Sequence, residues 1–436
     1  MPWLFLAVSL WGAWFTWNAL HPSPNSPRFA VVSFAAGWLT TELALHHLAW
    51  QTVATLVFGR LGAFGRWPGR LGLLITLASW AGLLLAQRKA HEAEDVLEHA
   101  LVEGLGGDYR QQIEPALRAK LLRQIDWWRV LMPFPIKRAD VEIVKDIHFA
   151  RERGTDLELD VYRNVARPPG CPVLFEIHGG GWTIGTKDEQ ALPLMNQMAS
   201  AGWVCVTTNY RLSPAATFPE HLIDCKRALG WIRAHVHEYG GDPSFVVVTG
   251  GSAGGHLSAL VALTPNDPEY QPGFEHVDTR VQGCVPFYGV YDFANRNETH
   301  RHMGMIEFLE QRVLKGRRDE IPEMFDRASP IARVGAEAPP FFVIHGESDT
   351  LVPVAEAREF VRALREKSRQ CVVYAELPGA QHAFEMFPSV RTIHTVNGVH
   401  RFLAWLESRW RGSGVELPRR GGERARDGFE RVRGEA

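Results

Sequence analysis

The chain has 436 residues and a formal net charge of −2 at pH 7, a balance that gives no electrostatic case for a nucleic-acid partner. Its five cysteines, Cys171, Cys205, Cys225, Cys284 and Cys371, are odd in number and scattered, which excludes a disulfide framework and a cysteine-rich metal centre and predicts buried free thiols. No cofactor- or metal-binding motif stands out, but composition is uneven: residues 1–87 carry few charges and much of the tryptophan, while the rest reads as an α/β domain with a charged surface.

The run from Trp3 to Leu20 is uncharged and about long enough to cross a bilayer core. It lacks a basic leader and a clear cleavage site, so it reads as an uncleaved anchor rather than a signal peptide. After the loop Pro22–Pro27, a second apolar stretch runs from Phe29 to about Phe58 and a third from Leu71 to Leu85. Residues 1–87 are therefore expected to form a membrane anchor of three spans, with an amphipathic helical hairpin packed on the following domain as the alternative. Glu42 and His46 stand four apart on one helical face and are expected to form a buried hydrogen-bonded pair or to lie near the lipid interface. A metal reading lacks a third ligand. Arg60, Arg66 and Arg70, in and around one short loop, favour a cytoplasmic loop with the domain that follows on the extracytoplasmic side; Arg28, Arg88 and Lys89 argue the reverse.

Residues 88–139 are expected to be a helical linker, with Val96, Leu97, Ala100 and Leu101, then Leu117, Leu121, Leu122 and Ile125, at helical spacing. Trp127, Trp128, Leu131, Met132 and Phe134 cluster beside Arg129, Lys137 and Arg138. That patch suits either a membrane surface or core packing against the domain that follows.

From residue 140 strands and helices alternate. Val141–Phe149 and Leu157–Arg163 flank Arg153-Gly154-Thr155-Asp156, a hairpin signal. Pro172–Ile177 leads into His178-Gly179-Gly180-Gly181-Trp182, a loop whose unhindered N–H groups can converge on a developing oxyanion. Val204–Thr208 is the next strand, followed by Tyr210-Arg211-Leu212-Ser213-Pro214 and a helix over Phe218–Tyr239. Phe245–Thr249 then enters Gly250-Gly251-Ser252-Ala253-Gly254, and residues 256–263 are helix-prone. A sharp strand-to-helix turn strains its central residue and tolerates only small neighbours, which makes Ser252 the candidate nucleophile and the Ala253 N–H a candidate oxyanion donor.

Val281–Tyr288 is a further strand. Residues 291–338 interrupt the alternation and read either as a lid carrying Phe293, Met303, Met305, Phe308 and Leu309 or as a peripheral helical pair. Phe341–Ile344 leads into His345-Gly346-Glu347-Ser348-Asp349-Thr350-Leu351-Val352-Pro353, and Cys371–Ala375 into Leu377-Pro378-Gly379-Ala380-Gln381-His382. Serine, carboxylate and histidine thus follow in the order of a hydrolase triad, Ser252, Asp349 and His382. Glu347 competes for the carboxylate, and His345 for the base, although chain order disfavours His345. Arg-, Gly- and Glu-rich residues 411–436 read as a disordered tail. His235, His237, His300 and His302 read as solvated faces.

These four motifs, in this order over roughly residues 140–410, resemble the α/β-hydrolase superfamily, specifically the hormone-sensitive-lipase-like esterases with an HGGGW loop. Tyr210–Pro214 is similar to that family's Y-R-L-x-P stretch. The acidic motif departs from the usual D-P-L; its G-x-x-D-x-x-V-P context resembles dipeptidyl-peptidase and BD-FAE-like feruloyl-esterase relatives. The resemblance implies an α/β-hydrolase fold, a mainly parallel sheet with helices on both faces, and adds Gly180 and Gly181 as oxyanion donors. It also places the 291–338 insertion above the serine. The implied activity is that of a membrane-anchored serine carboxylesterase or lipase acting through an acyl-enzyme on small-molecule or lipid esters, with an amidase or peptidase, or a non-catalytic membrane scaffold, as alternatives.

Overall fold

Eight strands form one sheet in the order β1-β2-β4-β3-β5-β6-β7-β8. They are β1 (Val141–Glu152), β2 (Thr155–Asn164), β3 (Cys171–Ile177), β4 (Val204–Thr208), β5 (Gly241–Gly251), β6 (Gly283–Phe287), β7 (Phe341–Gly346) and β8 (Val372–Leu377). The computed structural model describes residues 1–23, 27–121, 125–134, 136–300 and 304–412. Met303, Leu122, His302 and most of the expected tail lie outside the described residues.

β1 and β2 form an antiparallel hairpin through Arg153 and Gly154, both at positive φ, and β2 joins β4 antiparallel. All further pairings are parallel, which requires the crossover helices seen between strands. Strand side chains alternate between two cores. Val173, Phe175, Val246, Val248, Phe341 and Val343 pack on one face with the helices Glu220–His235, Ala253–Leu263 and Val354–Lys367. Leu174, Val247, Phe342, Ile344 and Val373 pack on the other with Leu192–Ser200 and Val390–Gly412. The mainly parallel sheet with helices on both faces is as expected.

Four long helices precede the sheet: α1 (Pro2–Leu20), α2 (Pro27–Glu42), α3 (Ala44–Arg60) and α4 (Trp67–Leu105). By length and composition α4 alone is long and apolar enough to cross a membrane among the described residues, with α2 and α3 together counting as a second, broken span. The second apolar stretch is not one straight helix: α2 and α3 meet at Leu43 with an 88° bend. The third is the first half of a 39-residue helix, about 58 Å long at 1.5 Å per residue. Beyond Leu85 that same helix enters the α/β fold, where Ala93, Leu97, Ala100 and Leu101 are buried against Val373, Val399 and Phe402. The expected boundary at residues 87/88 therefore falls inside α4.

The α1, α3 and α4 bundle is inverted relative to a water-soluble one. Ser9, Thr16, Gln51, Thr55, Thr76 and Ser79 are buried, while Trp3, Leu10, Trp11, Trp17, Leu56, Leu74 and Leu84 are exposed. Thr76 donates to Ser9 Oγ at 3.0 Å, and the Thr16 and Ser79 hydroxyls lie 2.7 Å apart. Small residues let the backbones close up: a side chain at Gly82 would meet Thr16 and Leu20.

The bend overturns the expected Glu42–His46 pair. Glu42 closes α2 and His46 opens α3, so the two share no helical face. Glu42 instead accepts hydrogen bonds from Arg391 and from Ser389 Oγ (2.7 Å), while His46 Nε2 lies 3.0 Å from the Leu131 carbonyl oxygen. His300 is also not solvated: it is buried, 2.8 Å from the buried carboxylate of Glu356.

Candidate active site

At the carboxyl end of β5 the chain turns into the Ala253–Leu263 helix through Ser252, held at φ 57°, ψ −119°. That left-handed strain persists because the surroundings leave no alternative: Ser252 N–H donates to Phe287 O at 3.0 Å. Two residues on, a Cβ at Gly254 would sit 1.8 Å from the Ile177 carbonyl oxygen, so only glycine lets the helix start this close to β3.

The loop after β3 lies against this turn, and a Cβ at Gly179 would be 3.1 Å from Ser252 Cβ. Gly180, Gly181 and Trp182 all take positive φ, at 106°, 58° and 58°. The Gly179 N–H is spent on Gln190 Oε1 at 2.7 Å. The N–H groups of Gly180, Gly181 and Ala253 donate to nothing among the described residues, which leaves all three expected donors available for an oxyanion. Three anchors hold the loop: Tyr210 OH donates to His178 O, Ser213 N–H donates to Trp182 O, and the Trp182 indole donates to His256 Nδ1. Burial pushes the His256 imidazole down to about 3, so it stays neutral, accepting from Trp182 and donating Nε2–H to Ala328 O at 2.7 Å. Arg211 of the Tyr210–Pro214 stretch forks onto buried Asp224 at 2.8 Å through both Nε and Nη2.

The loops after β7 and β8 bring Asp349 and His382 together. His382 Nδ1 lies 2.6 Å from Asp349 Oδ2, and Asp349 Oδ1 accepts from Leu351 N–H and Val352 N–H at 2.9 and 2.8 Å. Burial alone would raise the Asp349 carboxyl, but His382 and a further bond from His345 hold it well below the usual carboxylate range. With Nδ1 engaged, Nε2 is the His382 nitrogen left to act on a nucleophile. The competitors are occupied: Glu347 accepts from Gly379 N–H at 2.9 Å, and His345 Nε2 lies 3.0 Å from Val352 O and 3.3 Å from Asp349.

Tyr288 joins the two halves. Its hydroxyl would meet a side chain at Gly251, beside Ser252, and its ring centroid is 4.5 Å from that of His382. The hydroxyl donates to Glu385, which burial pushes up to about 7. Gln381 Oε1 ties the acid and histidine loops by accepting from Thr350 N–H and His382 N–H at 2.8 and 2.9 Å. Of the residues named in the 291–338 insertion, Phe308 reaches the oxyanion loop, 3.5 Å from where a Cβ at Gly181 would lie. Phe293 is core and also meets Trp182 of that loop edge-on at 5.1 Å, Leu309 is core, and Met305 packs on the core edge.

Gln190, Gln381 and Tyr288 carry no motif and went unread in the sequence. Phe34 and Trp38 of α2 also went unread: the Phe34 and His382 rings are 6.1 Å apart, and Trp38 Nε1–H donates to Ala383 O at 2.8 Å. The described residues hold no group of three or more His, Cys, Asp or Glu able to bind a metal ion.

Residues 159–364 match the family model described as BD-FAE. The chain is 44% identical over 402 residues to the probable carboxylic ester hydrolase LipM of Mycobacterium tuberculosis, covering 89% of this chain and 90% of that protein. It is 40% identical to the esterase LipQ of the same organism, covering 88% and 86%. Among solved structures, a fungal esterase from Rhizomucor miehei shares the fold, with a TM-score of 0.53 at 21% identity over 68% of this chain and 98% of that one.

Proposed function

Because the chain belongs to the α/β-hydrolase family of carboxylic ester hydrolases, we propose that it cleaves acyl esters by a serine mechanism at a membrane. His382 Nε2 takes the Ser252 Oγ proton as Oγ attacks the ester carbonyl carbon, and the N–H groups of Gly180, Gly181 and Ala253 hold the oxyanion. The C–O bond to the alcohol breaks, and His382 delivers its proton to the departing oxygen. Water, deprotonated by His382, then attacks the acyl-enzyme and releases the acid, returning the proton to Ser252. Asp349 fixes the His382 tautomer and stabilises the imidazolium. The observation that carries this reading is the 2.6 Å His382–Asp349 hydrogen bond on one side of Tyr288 with the strained Ser252 turn on the other. Intact protein should label with a fluorophosphonate and Ser252→Ala should not; an intact, folded protein that fails to label refutes the mechanism.

The inverted N-terminal bundle supports membrane insertion, since polar groups buried between helices with apolar side chains outward is the arrangement lipid selects. Next to the histidine loop, exposed Trp127, Trp128, Leu131, Met132 and Phe134 continue that apolar surface, with Phe134 packed on Phe387 at 5.1 Å. The substrate class this favours is an ester dissolved in or at the bilayer. Acyl-chain profiling of the full chain tests it, and a steep preference for very short soluble esters counts against it. The arginines at the α3–α4 turn favour a cytoplasmic turn with the catalytic domain on the far side, against the opposing pull of Arg28, Arg88 and Lys89. Gly62→Cys should then resist an impermeant maleimide in intact cells.

A further inference from the structure

Four residues of α2 spaced four apart touch the loops that carry Asp349 and His382. Ala30 O accepts from Thr350 Oγ1 at 3.0 Å, next to Asp349. Phe34 packs edge-on to the His382 ring at 6.1 Å. Trp38 donates its indole N–H to Ala383 O at 2.8 Å and lies 5.6 Å from the Phe387 ring. Glu42 binds Arg391 and Ser389 just past the same loop. Positions i, i+4, i+8 and i+12 form one continuous ridge that winds about 120° around a helix, so one ridge of α2 tracks the active-site loops from Thr350 to Arg391.

The middle of that ridge meets a strained backbone. Ala383, directly after His382, is at φ 58°, a conformation that costs a non-glycine residue about 1 kcal/mol or more and persists only under outside constraint. Its carbonyl oxygen is the acceptor that Trp38 holds. His382 itself is bounded on two sides by rings, Tyr288 just past β6 and Phe34 from α2. Its Nδ1 is fixed by Asp349 and its backbone N–H by Gln381 Oε1, and the bond from Trp38 holds the carbonyl of the next residue, Ala383.

We propose that Trp38 is a positioning residue for His382, and that the N-terminal helix α2 is through it a working wall of the active site and not merely part of an anchor. This rests on His382 being the base of the serine mechanism. Packed on α1 at one side and on the catalytic loops at the other, α2 links the state of the apolar bundle to the aim of the imidazole.

Trp38→Phe removes the N–H donor and the second indole ring while leaving one aromatic ring to face Phe34, now 5.3 Å away, and Phe387. The full-length protein in detergent is assayed on a short-chain nitrophenyl ester, and competent Ser252 is counted by fluorophosphonate titration. Loss of one hydrogen bond that aims the base should lower kcat about 10-fold, with KM within about twofold and the titratable fraction unchanged. Trp11→Phe, on the exposed face of α1, should leave all three unchanged. A kcat within twofold of the parent overturns the proposal. So does a kcat loss matched by a fall in titratable sites, which marks a folding defect, or a rise in KM alone, which marks a substrate contact. Ser252→Ala, run in parallel, separates the two layers: activity retained there sinks the serine mechanism, whereas an inactive Ser252→Ala beside a fully active Trp38→Phe sinks only the role of Trp38.

Discussion

Asp349→Asn changes one atom and reverses the proton logic of the site. In the structure Asp349 Oδ1 accepts from Leu351 N–H and Val352 N–H, and Oδ2 accepts from His382 Nδ1 at 2.6 Å and faces His345 Nε2 at 3.3 Å. An asparagine keeps its carbonyl oxygen on the two backbone N–H groups and turns its NH2 toward the two imidazoles. His382 must then accept at Nδ1 and carry its proton on Nε2, the atom that has to receive the Ser252 proton. In the Ser-His-Asp template this inversion costs about 10⁴ in kcat, or about 5 kcal/mol at 1.36 kcal/mol per decade. The fold should survive, since the two backbone bonds remain; Asp349→Ala would orphan both, at about 1–3 kcal/mol each. The assay is kcat on a short-chain ester, with thermal unfolding as control. A loss below 10-fold in a protein of parental stability refutes the assignment of Asp349 as the orienting carboxylate.

Gly180→Ala forces a side chain onto a residue at φ 106°, with its Cβ 2.1 Å from the Ile184 carbonyl oxygen; the displaced N–H should cost about 100- to 1000-fold in kcat, and a variant within threefold of the parent excludes Gly180 as a donor. Glu385, pushed up to about 7 by burial, binds its proton more tightly folded than unfolded, so its contribution to stability is full below its unfolded pKa near 4.5 and is lost as pH rises toward 7. Glu385→Gln should flatten that slope and stabilise the protein above pH 7 by about 3 kcal/mol, read as the shift in unfolding midpoint between pH 5 and 8; an unchanged slope would show that Glu385 does not titrate there. Glu42→Ala leaves buried Arg391 without its carboxylate and should destabilise by about 3–5 kcal/mol, whereas Glu42→Leu with Arg391→Met should recover most of the loss.

The parts legible in the sequence were those set by local chemistry. Short apolar runs announced all eight strands, and Arg153-Gly154 announced the β1–β2 turn, because β propensity and positive φ are properties of neighbours. The glycines around Ser252 and after His178 were readable for the same reason. The 39-residue α4 was not. Its first half was recognised by lack of charge and its second by apolar spacing, and Arg88 and Lys89 between them looked like a boundary. Both are good helix formers that interrupt composition without interrupting backbone. Strand order, the Gln190 and Gln381 clamps and the Tyr288 contact depend on which loops the sheet gathers at its carboxyl edge.

Glu42 shows how a correct spacing can be applied in the wrong direction. A four-residue interval defines a shared face only while the helix lasts, and α2 ends at Glu42. Leu43, at φ −109° and ψ 36°, is neither glycine nor proline, so no local breaker announced the bend. What accompanies it is tertiary: Arg391 binds Glu42 on one side, and the Leu131 carbonyl engages His46 on the other. A carboxylate in an apolar stretch is too costly to leave alone, and its partner here stands 349 positions further along the chain. The interval from Glu42 carries meaning backward, to Trp38, Phe34 and Ala30, because only there does the helix continue. That face meets the loops of His382 and Asp349, so the charge that looked like a local feature of the anchor is the last contact of the wall α2 presents to the site.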